Sequence, residues 1–402
     1  MPVKIKNMPR RVLKLPQGYN FQNKEILLMF YWLAQFTDVW GPLRLFEYVT
    51  FRAAGAGAFA MFLTIFFGPL TIKLLKKFRT NDPNRYKDVI DEKFIDSDKD
   101  KTPSMGGVLI VAAIAISTIA WGMPGNPMII AFLGTLLSLA VVGFIDDYKK
   151  VKGNCKGISS KTKLLFQAII AMIAIVYLDS LPETAELVIK DTVQPGGGLM
   201  RQLMVPFLAL PLVAGWGVML FSMVVVVGSS NAVNLTDGKD GLAVGTCIFC
   251  ALAYAVFAYT CGHKIFAAYL NVPFIAGSSE VVVFAAAIAG ACIGFLWYNC
   301  YPASVFMGDT GSLALGGSIG LIAVLVRQEL TLLLVGFVFV IEALSVIIQV
   351  TSFKLTGKRV FLCTPIHHHF EQKGWTETQI VARFWIIAGV AALAGLATLK
   401  LR

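Results

Sequence analysis

Charged residues are scarce in this 402-residue chain, and long apolar runs take their place. Asp, Glu, Lys and Arg make up only 15% of the sequence, whereas they make up about a quarter of soluble domains. Apolar residues reach 56%, and the mean hydropathy is +0.70. This balance excludes an ordinary soluble domain and predicts a bundle of membrane-spanning helices.

Cysteine and histidine are also few, with seven and four residues. Cys247 and Cys250 form a C-x-x-C pattern, but it lies inside an apolar run without polar neighbours. We therefore expect small buried side chains there, not a zinc or redox site, and no structural disulfide. No signal peptide is evident, because the first strong apolar run is too long and begins too late.

Ten apolar stretches approach the ~20 residues that a bilayer crossing requires. They cover about 51–75, 106–122, 128–146, 164–179, 204–228, 241–261, 281–299, 312–327, 331–351 and 380–399. The predicted fold class is therefore all-α: a polytopic membrane protein with ten transmembrane helices and cytoplasmic active-site loops. We expect residues 29–402 to form this single domain.

The net charge of +11 is concentrated in loops that fall on one side of the predicted bundle. Loops 76–105, 147–163 and 352–379 are rich in Lys and Arg, while the opposite loops are poor in them. The positive-inside rule then places the rich side in the cytoplasm and both termini outside. Anionic lipid or a polyphosphate substrate, and not nucleic acid, is the expected partner of these loops.

The N-terminus does not fit this topology, because its basic residues would have to be translocated. We interpret residues 1–28 as an extension of unknown purpose. Met29, just before the amphipathic segment 29–48, is a plausible alternative start.

Acidic residues gather at the ends of predicted spans on the cytoplasmic side. Asp146 and Asp147 close the third span, where carboxylates beside hydrocarbon imply water, a metal or a partner, unless the helix end is simply solvated. Asp146 and Lys150 are spaced to pair on one helical face. Asp309 is the one carboxylate of a small, apolar loop, which suits either a metal ligand or the N-cap of the next helix.

Two further polar segments lie on the same side. Residues 229–241 combine Asn, Asp and Gly between two spans, and Gly238 permits close backbone approach to a ligand. His367, His368 and His369 are consecutive, which is poor spacing for zinc but suits contacts with phosphate or proton transfer near neutral pH.

Taken together, these groups favour phosphoryl transfer, in which positioning and charge stabilisation do most of the work. Mg²⁺ typically takes one or two carboxylates and completes its coordination with substrate oxygens, so a metal–diphosphate substrate fits better than a protein-only cage. We expect lysines and histidines, among them Lys150, Lys163 and His369, to offset phosphate charge. Asn231 is expected to contact substrate together with its neighbour Asn234.

The chain resembles the family of phospho-N-acetylmuramoyl-pentapeptide-transferases, within the polyprenyl-phosphate N-acetylhexosamine-1-phosphate transferases. The resemblance covers roughly residues 29–402 and rests on five strings in order. They are KTPSMGG (101–107), GFIDDYKK (143–150), NAVNLTDGKDGLA (231–243), FMGDTGSLALGG (306–317) and PIHHHFEQKGW (365–375). It implies a Mg²⁺-dependent, homodimeric enzyme of the bacterial inner membrane. Its substrates would be UDP-MurNAc-pentapeptide and undecaprenyl phosphate, and its products lipid I and UMP.

The resemblance also implies roles for single residues. Asp309 matches the magnesium ligand, and Asp146 and Asp147 match an aspartate pair in which Asp146 is the candidate base. His367 matches a phosphate-binding or acid–base group. The positions that match substrate contacts are Lys99, Asn234, Asp237, Gly238, Asp240, Phe306, Gln349 and His368.

Lys239 departs from the family, which usually has an apolar residue there, and it could perturb the nucleoside pocket. Two mechanisms stay open: direct attack by the lipid phosphate, which we prefer, or a phospho-aspartyl intermediate. A sister transferase for another UDP-sugar is the nearest alternative, and the histidine string argues against it. A transporter is the alternative from another class. Glu342 in the ninth span favours it, although a packed, hydrogen-bonded carboxylate explains Glu342 better.

Overall fold

The computed structural model describes residues 30–78, 102–152, 157–190, 192–195, 197–205 and 211–400. The predicted extension 1–28, the alternative start Met29 and Lys99 lie outside these ranges, so what was expected of them stays a prediction.

Helices account for nearly all of the regular structure. The α-helices are α1 Val49–Lys77, α2 Gly107–Trp121, α3 Pro127–Lys152, α4 Ser160–Asp179, α5 Trp216–Thr236, α6 Leu242–Gly262, α7 Lys264–Leu270, α8 Val281–Asn299, α9 Gly308–Leu325, α10 Leu332–Val335, α11 Phe337–Thr356, α12 Ile366–Gln372 and α13 Glu377–Ala397. Short 3-10 helices cover Phe30–Phe36, Gly41–Glu47, Pro182–Thr184, Leu199–Arg201, Ser278–Glu280 and Thr398–Lys400.

Four two-residue strands complete the described chain. They are β1 Val188–Ile189, β2 Thr192–Val193, β3 Gln202–Leu203 and β4 Leu212–Val213. They form two antiparallel ribbons, β1 with β2 and β3 with β4, at the end of the bundle where α4 ends and α5 begins.

The predicted fold class is confirmed. Within the described ranges, nine helices are long and apolar enough to cross a membrane. The second predicted span corresponds to α2, which has only 15 residues and so extends about 22 Å at 1.5 Å per residue. Together these helices match the ten predicted apolar stretches.

Two predicted boundaries are wrong for identifiable reasons. The predicted span 204–228 begins and ends too early in the chain. Strand β4 takes up part of that apolar sequence, and α5 runs from Trp216 to Thr236. Its polar residues remain helical because they bond to neighbouring helices: Ser230 Oγ donates to the Leu313 carbonyl at 3.0 Å. The stretch 331–351 divides at Gly336 into α10 and α11.

Helix α9 forms the centre of the bundle, although it is the least apolar of the nine long helices. Every one of its residues is buried, and it packs against α3 and α5. Its glycines allow this contact, since a Cβ on Gly316 would lie 2.5 Å from the Ser229 carbonyl oxygen. Close approach through small residues is a general means of helix association in membranes, where apolarity alone does not drive it.

The two ends of the bundle carry different buried charges. At one end, Arg52 and Glu280 form a buried bidentate pair between α1 and the 3-10 helix that precedes α8. At the other end, α3 and α5 finish where α4, α6 and α9 begin, and the predicted functional residues collect there.

Substituting Gly290 tests this close packing. A Cβ on Gly290 of α8 would lie 1.9 Å from the Gly57 carbonyl oxygen of α1, so α1 and α8 must move apart. We expect Gly290→Ala to destabilise the fold by about 1–3 kcal/mol, seen as a lower Tm in detergent. Gly134→Ala is the matched control, because its Cβ would meet nothing within 4 Å. Equal Tm values for the two variants would contradict the packing described.

Candidate active site

Two carboxylates and two lysines converge where α3, α4 and α9 meet. Lys163 Nζ lies 3.0 Å from Asp146 Oδ2 and 2.5 Å from Asp309 Oδ2. Lys150 Nζ lies 2.8 Å and 3.2 Å from the same two oxygens, which confirms the expected pairing of Asp146 with Lys150. Asp146 Oδ1 accepts a hydrogen bond from the backbone N–H of Ile158 at 2.6 Å. Both oxygens of Asp146 are therefore engaged, and each lysine bridges two carboxylates.

Glycines bring α3 and α9 close enough for this cluster to form. A Cβ on Gly143 would lie 2.3 Å from the Asp309 carbonyl oxygen, so only glycine fits there. Gly308 has φ +74°, a conformation that favours glycine, and a Cβ on it would lie 2.8 Å from Asp147 Oδ2. Steric contacts therefore explain why glycine occupies positions 143 and 308.

Asp147 points at the backbone of α9 and not at the lysines. Its Oδ1 accepts the Asp309 N–H at 3.1 Å, and its Oδ2 accepts the Thr310 N–H at 2.9 Å and the Thr310 hydroxyl at 2.7 Å. These are the N–H groups that a helix start leaves without partners. The alternative that Asp309 caps a helix beginning near Ser312 is wrong: α9 begins at Gly308, and Asp147 satisfies its first turn.

The turn 237–241 joins α5 to α6 and touches the cluster from the side. Asp237 Oδ2 accepts the Gly308 N–H at 3.2 Å, and Asp240 Oδ2 accepts the Ala303 N–H at 3.0 Å. Both predicted nucleoside-binding carboxylates therefore also hold the segment that leads into α9. The side chain of Lys239 is buried and directed to Glu371 and not into the Asp237–Asp240 turn. An effect of Lys239 on the nucleoside pocket stays a prediction.

The consecutive histidines lie on α12 and bond to separate partners. His367 Nδ1 lies 3.0 Å from Glu342 Oε2, and His368 Nδ1 lies 3.0 Å from Glu371 Oε2. A Cβ on Gly238 would lie 2.4 Å from His367 Nε2, so this ring packs directly on the turn 237–241. His367 Nε2 is buried without a hydrogen-bond partner among the described residues, which leaves it available to a ligand. Glu342 is hydrogen-bonded to His367 and fully buried, as expected for a packed carboxylate inside the bundle.

Neighbouring charges and burial determine the protonation states of His368 and Glu371. Burial opposes ionisation of Glu371, but hydrogen bonds from His368 and Lys239 outweigh it and lower the pKa of Glu371 to about 2. Burial lowers the pKa of His368, and His367 and Lys239 add to this effect against the hydrogen bond to Glu371. Glu371 is therefore ionised and His368 neutral at pH 7, so His368 donates through Nδ1–H.

Gln349 and His369, both predicted substrate contacts, hold the loop between α11 and α12. Gln349 Oε1 accepts the N–H groups of Val360 and Phe361 at 2.9 Å each, and its Nε2 donates to the Phe361 carbonyl at 3.0 Å. His369 Nδ1 accepts the Leu362 N–H at 3.2 Å. A role for either in substrate binding stays a prediction.

The remaining predicted contacts lie along α5 and before α9. Asn231 Nδ2 donates to Gln167 Oε1 at 2.8 Å, whereas Asn234 Nδ2 is buried with no hydrogen-bond partner in the part of the chain that the structure describes. Phe306 is buried, and its N–H donates to the Pro103 carbonyl at 2.9 Å. At the end of α5, the side-chain amide of Asn234 is therefore available to a substrate, whereas that of Asn231 is already bonded.

Sequence reasoning missed Gln167, Thr310 and Glu371. Gln167 lies in an apolar span and donates through Nε2 to Ser230 Oγ at 3.1 Å, so a lone buried amide was the available signal. Thr310 and Glu371 stand next to predicted residues, but their partners come from distant parts of the chain.

The comparisons with known proteins agree with this architecture. A model of glycosyl transferase family 4 matches residues 129–327, from α3 to the end of α9. Together with the membrane-spanning helices, this match indicates a membrane transferase of that class. A phospho-N-acetylmuramoyl-pentapeptide-transferase signature matches residues 99–111.

Curated relatives narrow the class. Phospho-N-acetylmuramoyl-pentapeptide-transferases from Methylacidiphilum infernorum and Neisseria meningitidis are 46% and 47% identical, and one from Rhodopseudomonas palustris is 45% identical. Each alignment covers 93% of this chain and the whole of the relative. The chain belongs to the phospho-N-acetylmuramoyl-pentapeptide-transferase family.

Removing the Asp147 carboxylate tests its place at the start of α9. Asp147→Ala deprives the Asp309 N–H, the Thr310 N–H and the Thr310 hydroxyl of their acceptor. We expect a loss of about 1–3 kcal/mol in stability, measured as a lower Tm, together with loss of activity. Thr310→Val removes one of these bonds and should cost less. An unchanged Tm with abolished turnover would instead assign Asp147 directly to the chemistry.

Proposed function

We propose that this chain transfers phospho-MurNAc-pentapeptide from UDP-MurNAc-pentapeptide to undecaprenyl phosphate, giving lipid I and UMP in peptidoglycan biosynthesis. The family membership supports this reaction, because the relatives carry the name of that activity. The observation that carries the proposal is the cluster of Lys150 and Lys163 with Asp146 and Asp309 at one end of the bundle. Two phosphorylated substrates that meet at a membrane need such cations to offset their charge.

The direct route fits this cluster better than a phospho-enzyme. An oxygen of the lipid phosphate attacks the β-phosphorus of the UDP-sugar, the bond to the bridging oxygen breaks, and UMP leaves with that oxygen. The attacking phosphate is already anionic, so Asp146 need only accept a remaining proton while Lys150 and Lys163 offset the charge. For Asp146 to attack phosphorus itself, it would have to leave two lysines and the Ile158 N–H.

Mg²⁺ is part of the proposal. No three His, Cys, Asp or Glu side chains within the described ranges form a metal cage. Asp146 Oδ2 and Asp309 Oδ2 nevertheless lie close enough to share the Lys163 ammonium, so the donor set suits a cation there. Asp309 would hold the ion beside Asp146, with substrate oxygens completing the coordination. When bound, Mg²⁺ supplies positive charge to the diphosphate and the leaving UMP.

We propose that the site lies at the cytoplasmic face of the bacterial inner membrane, and that the protein is a homodimer, as the family resemblance implies. Lys149, Lys150, Lys152, Lys161 and Lys163 flank the α3–α4 connection at the same end as the cluster, and the positive-inside rule supports a cytoplasmic position for that end. UDP-linked precursors would then reach the site without crossing the membrane.

Transfer in vitro tests the reaction and its metal together. The purified protein with UDP-MurNAc-pentapeptide, undecaprenyl phosphate and Mg²⁺ should release UMP and form lipid I. EDTA should abolish both products, and Asp309→Ala should lower kcat by about 10²–10³-fold, the scale of lost charge stabilisation. UDP-GlcNAc is the control substrate. Consumption of UDP-GlcNAc in preference to the MurNAc-pentapeptide donor would identify the sister activity instead.

Omitting the lipid separates the two mechanisms. With enzyme in excess over UDP-MurNAc-pentapeptide and no undecaprenyl phosphate, the direct route predicts no UMP, because the nucleophile is missing. Quenched-flow measurement of labelled UMP gives the answer. A burst of UMP approaching the amount of donor supplied, with phospho-MurNAc-pentapeptide attached to the protein, would establish a phospho-aspartyl intermediate.

A further inference from the structure

Lys239 is a buried lysine in the turn 237–241 between α5 and α6. Its side chain is only 4% exposed, and its Nζ lies 2.5 Å from Glu371 Oε1 on α12. A buried ammonium is costly unless it is paired, so this side chain depends on Glu371 for its place in the fold. The family resemblance predicts an apolar residue at position 239, and an apolar side chain could not pair with Glu371.

Glu371 connects Lys239 to a histidine of the candidate site. Its Oε1 accepts from Lys239, and its Oε2 lies 3.0 Å from His368 Nδ1. A single carboxylate thus spans the ammonium of the turn and the imidazole of the helix. Because Asp237 in the same turn accepts the Gly308 N–H, the connection extends to the start of α9.

The neighbouring histidine provides an internal comparison. His367 also bonds through Nδ1 to a carboxylate, Glu342, and its ring centroid lies 4.2 Å from that of His368. Glu342 Oε1 has no hydrogen-bond partner among the described residues, whereas Glu371 Oε1 is held by Lys239. The two imidazole–carboxylate pairs therefore share the contact through Nδ1, and only the carboxylate of the second pair is also bonded to a lysine.

We propose that Lys239 is a positioning residue for the transfer reaction: it holds Glu371 and, through Glu371, fixes the orientation and the donor atom of His368. The inference rests on the proposed function and deepens it, since it assigns a role to a residue that departs from the family pattern. In this series, Lys239 holds the carboxylate of Glu371, and Glu371 holds the imidazole of His368.

The charges around His368 support this series and set the direction of its effect. Glu371 and His367 face it from its own helix, Lys239 from the turn, and Glu342 of α11 reaches it through His367. Lys239 lowers the pKa of His368, and the hydrogen bond to Glu371 raises it. Removing the lysine should therefore raise the pKa of His368, and removing the carboxylate should lower it.

Variants of the full-length protein separate these effects. Lys239→Leu restores an apolar side chain of the kind that the family resemblance predicts, and Lys239→Arg keeps the charge. The proposal requires neutral His368 during transfer, so protonation of His368 should lower kcat on the acid side of its profile. We expect Lys239→Leu to move that acid limb to higher pH by about 0.5–1 unit, the size of one neighbouring charge. Glu371→Gln should move it to lower pH, and Lys239→Arg should retain the parent profile. Lys358→Met, which alters an exposed lysine outside the site, is the control.

A second measurement does not depend on activity. The pH dependence of deuterium exchange at the imidazole C2–H, followed by mass spectrometry with fragmentation, gives the titration midpoint of His368 in each variant. The same opposite shifts of Lys239→Leu and Glu371→Gln are expected there. Should the protein fail to transfer phospho-MurNAc-pentapeptide, the proposed function falls while these midpoints still decide the role of Lys239. A Lys239→Leu protein with a lower Tm but unchanged His368 midpoint and kcat profile would reduce Lys239 to a structural residue.

Discussion

The ammonium of Lys163, shared between Asp146 and Asp309, is the interaction on which the rest of the site depends. It joins three helices: α4 supplies the cation, and α3 and α9 supply the carboxylates. Buried charges are costly unless they are paired, so both carboxylates depend on this ammonium together with that of Lys150, which contacts the same two oxygens. The requirement that the three helix ends meet then determines much of the surrounding structure, including the close glycine contacts at Gly143 and Gly308.

A set of hydrogen bonds to backbone groups surrounds this charged centre and holds its helix ends in place. Asp147 satisfies the first turn of α9, Asp237 holds the residue before Asp309, and Gln349 holds the loop leading to the histidines. Residues that look alike in sequence therefore divide into two groups. Asp146 and Asp309 contact the lysines, while Asp147 and Asp237 accept hydrogen bonds from backbone amides.

The sequence was sufficient for the fold class, because long apolar runs report directly on membrane crossing. It was insufficient for α5, where Ser230 and Asn231 looked like a loop, since their helical state depends on partners in α9 and α4. Helical spacing correctly paired Asp146 with Lys150, and the predicted topology correctly put Asp309 at the same end of the bundle. Neither could show that Asp147 turns to the backbone or that Lys239 turns to Glu371, because both orientations are set by residues far away in the chain.

The most direct test of the account is a double-mutant cycle on kcat with Lys163→Met, Asp309→Asn and the combined variant. If the shared ammonium makes lysine and carboxylate one functional unit, the double variant should be about as slow as the worse single variant, because the second change removes a partner that is already lost. Independent, multiplicative losses in the double variant would contradict the account, since Lys163 and Asp309 would then act at separate places in the reaction.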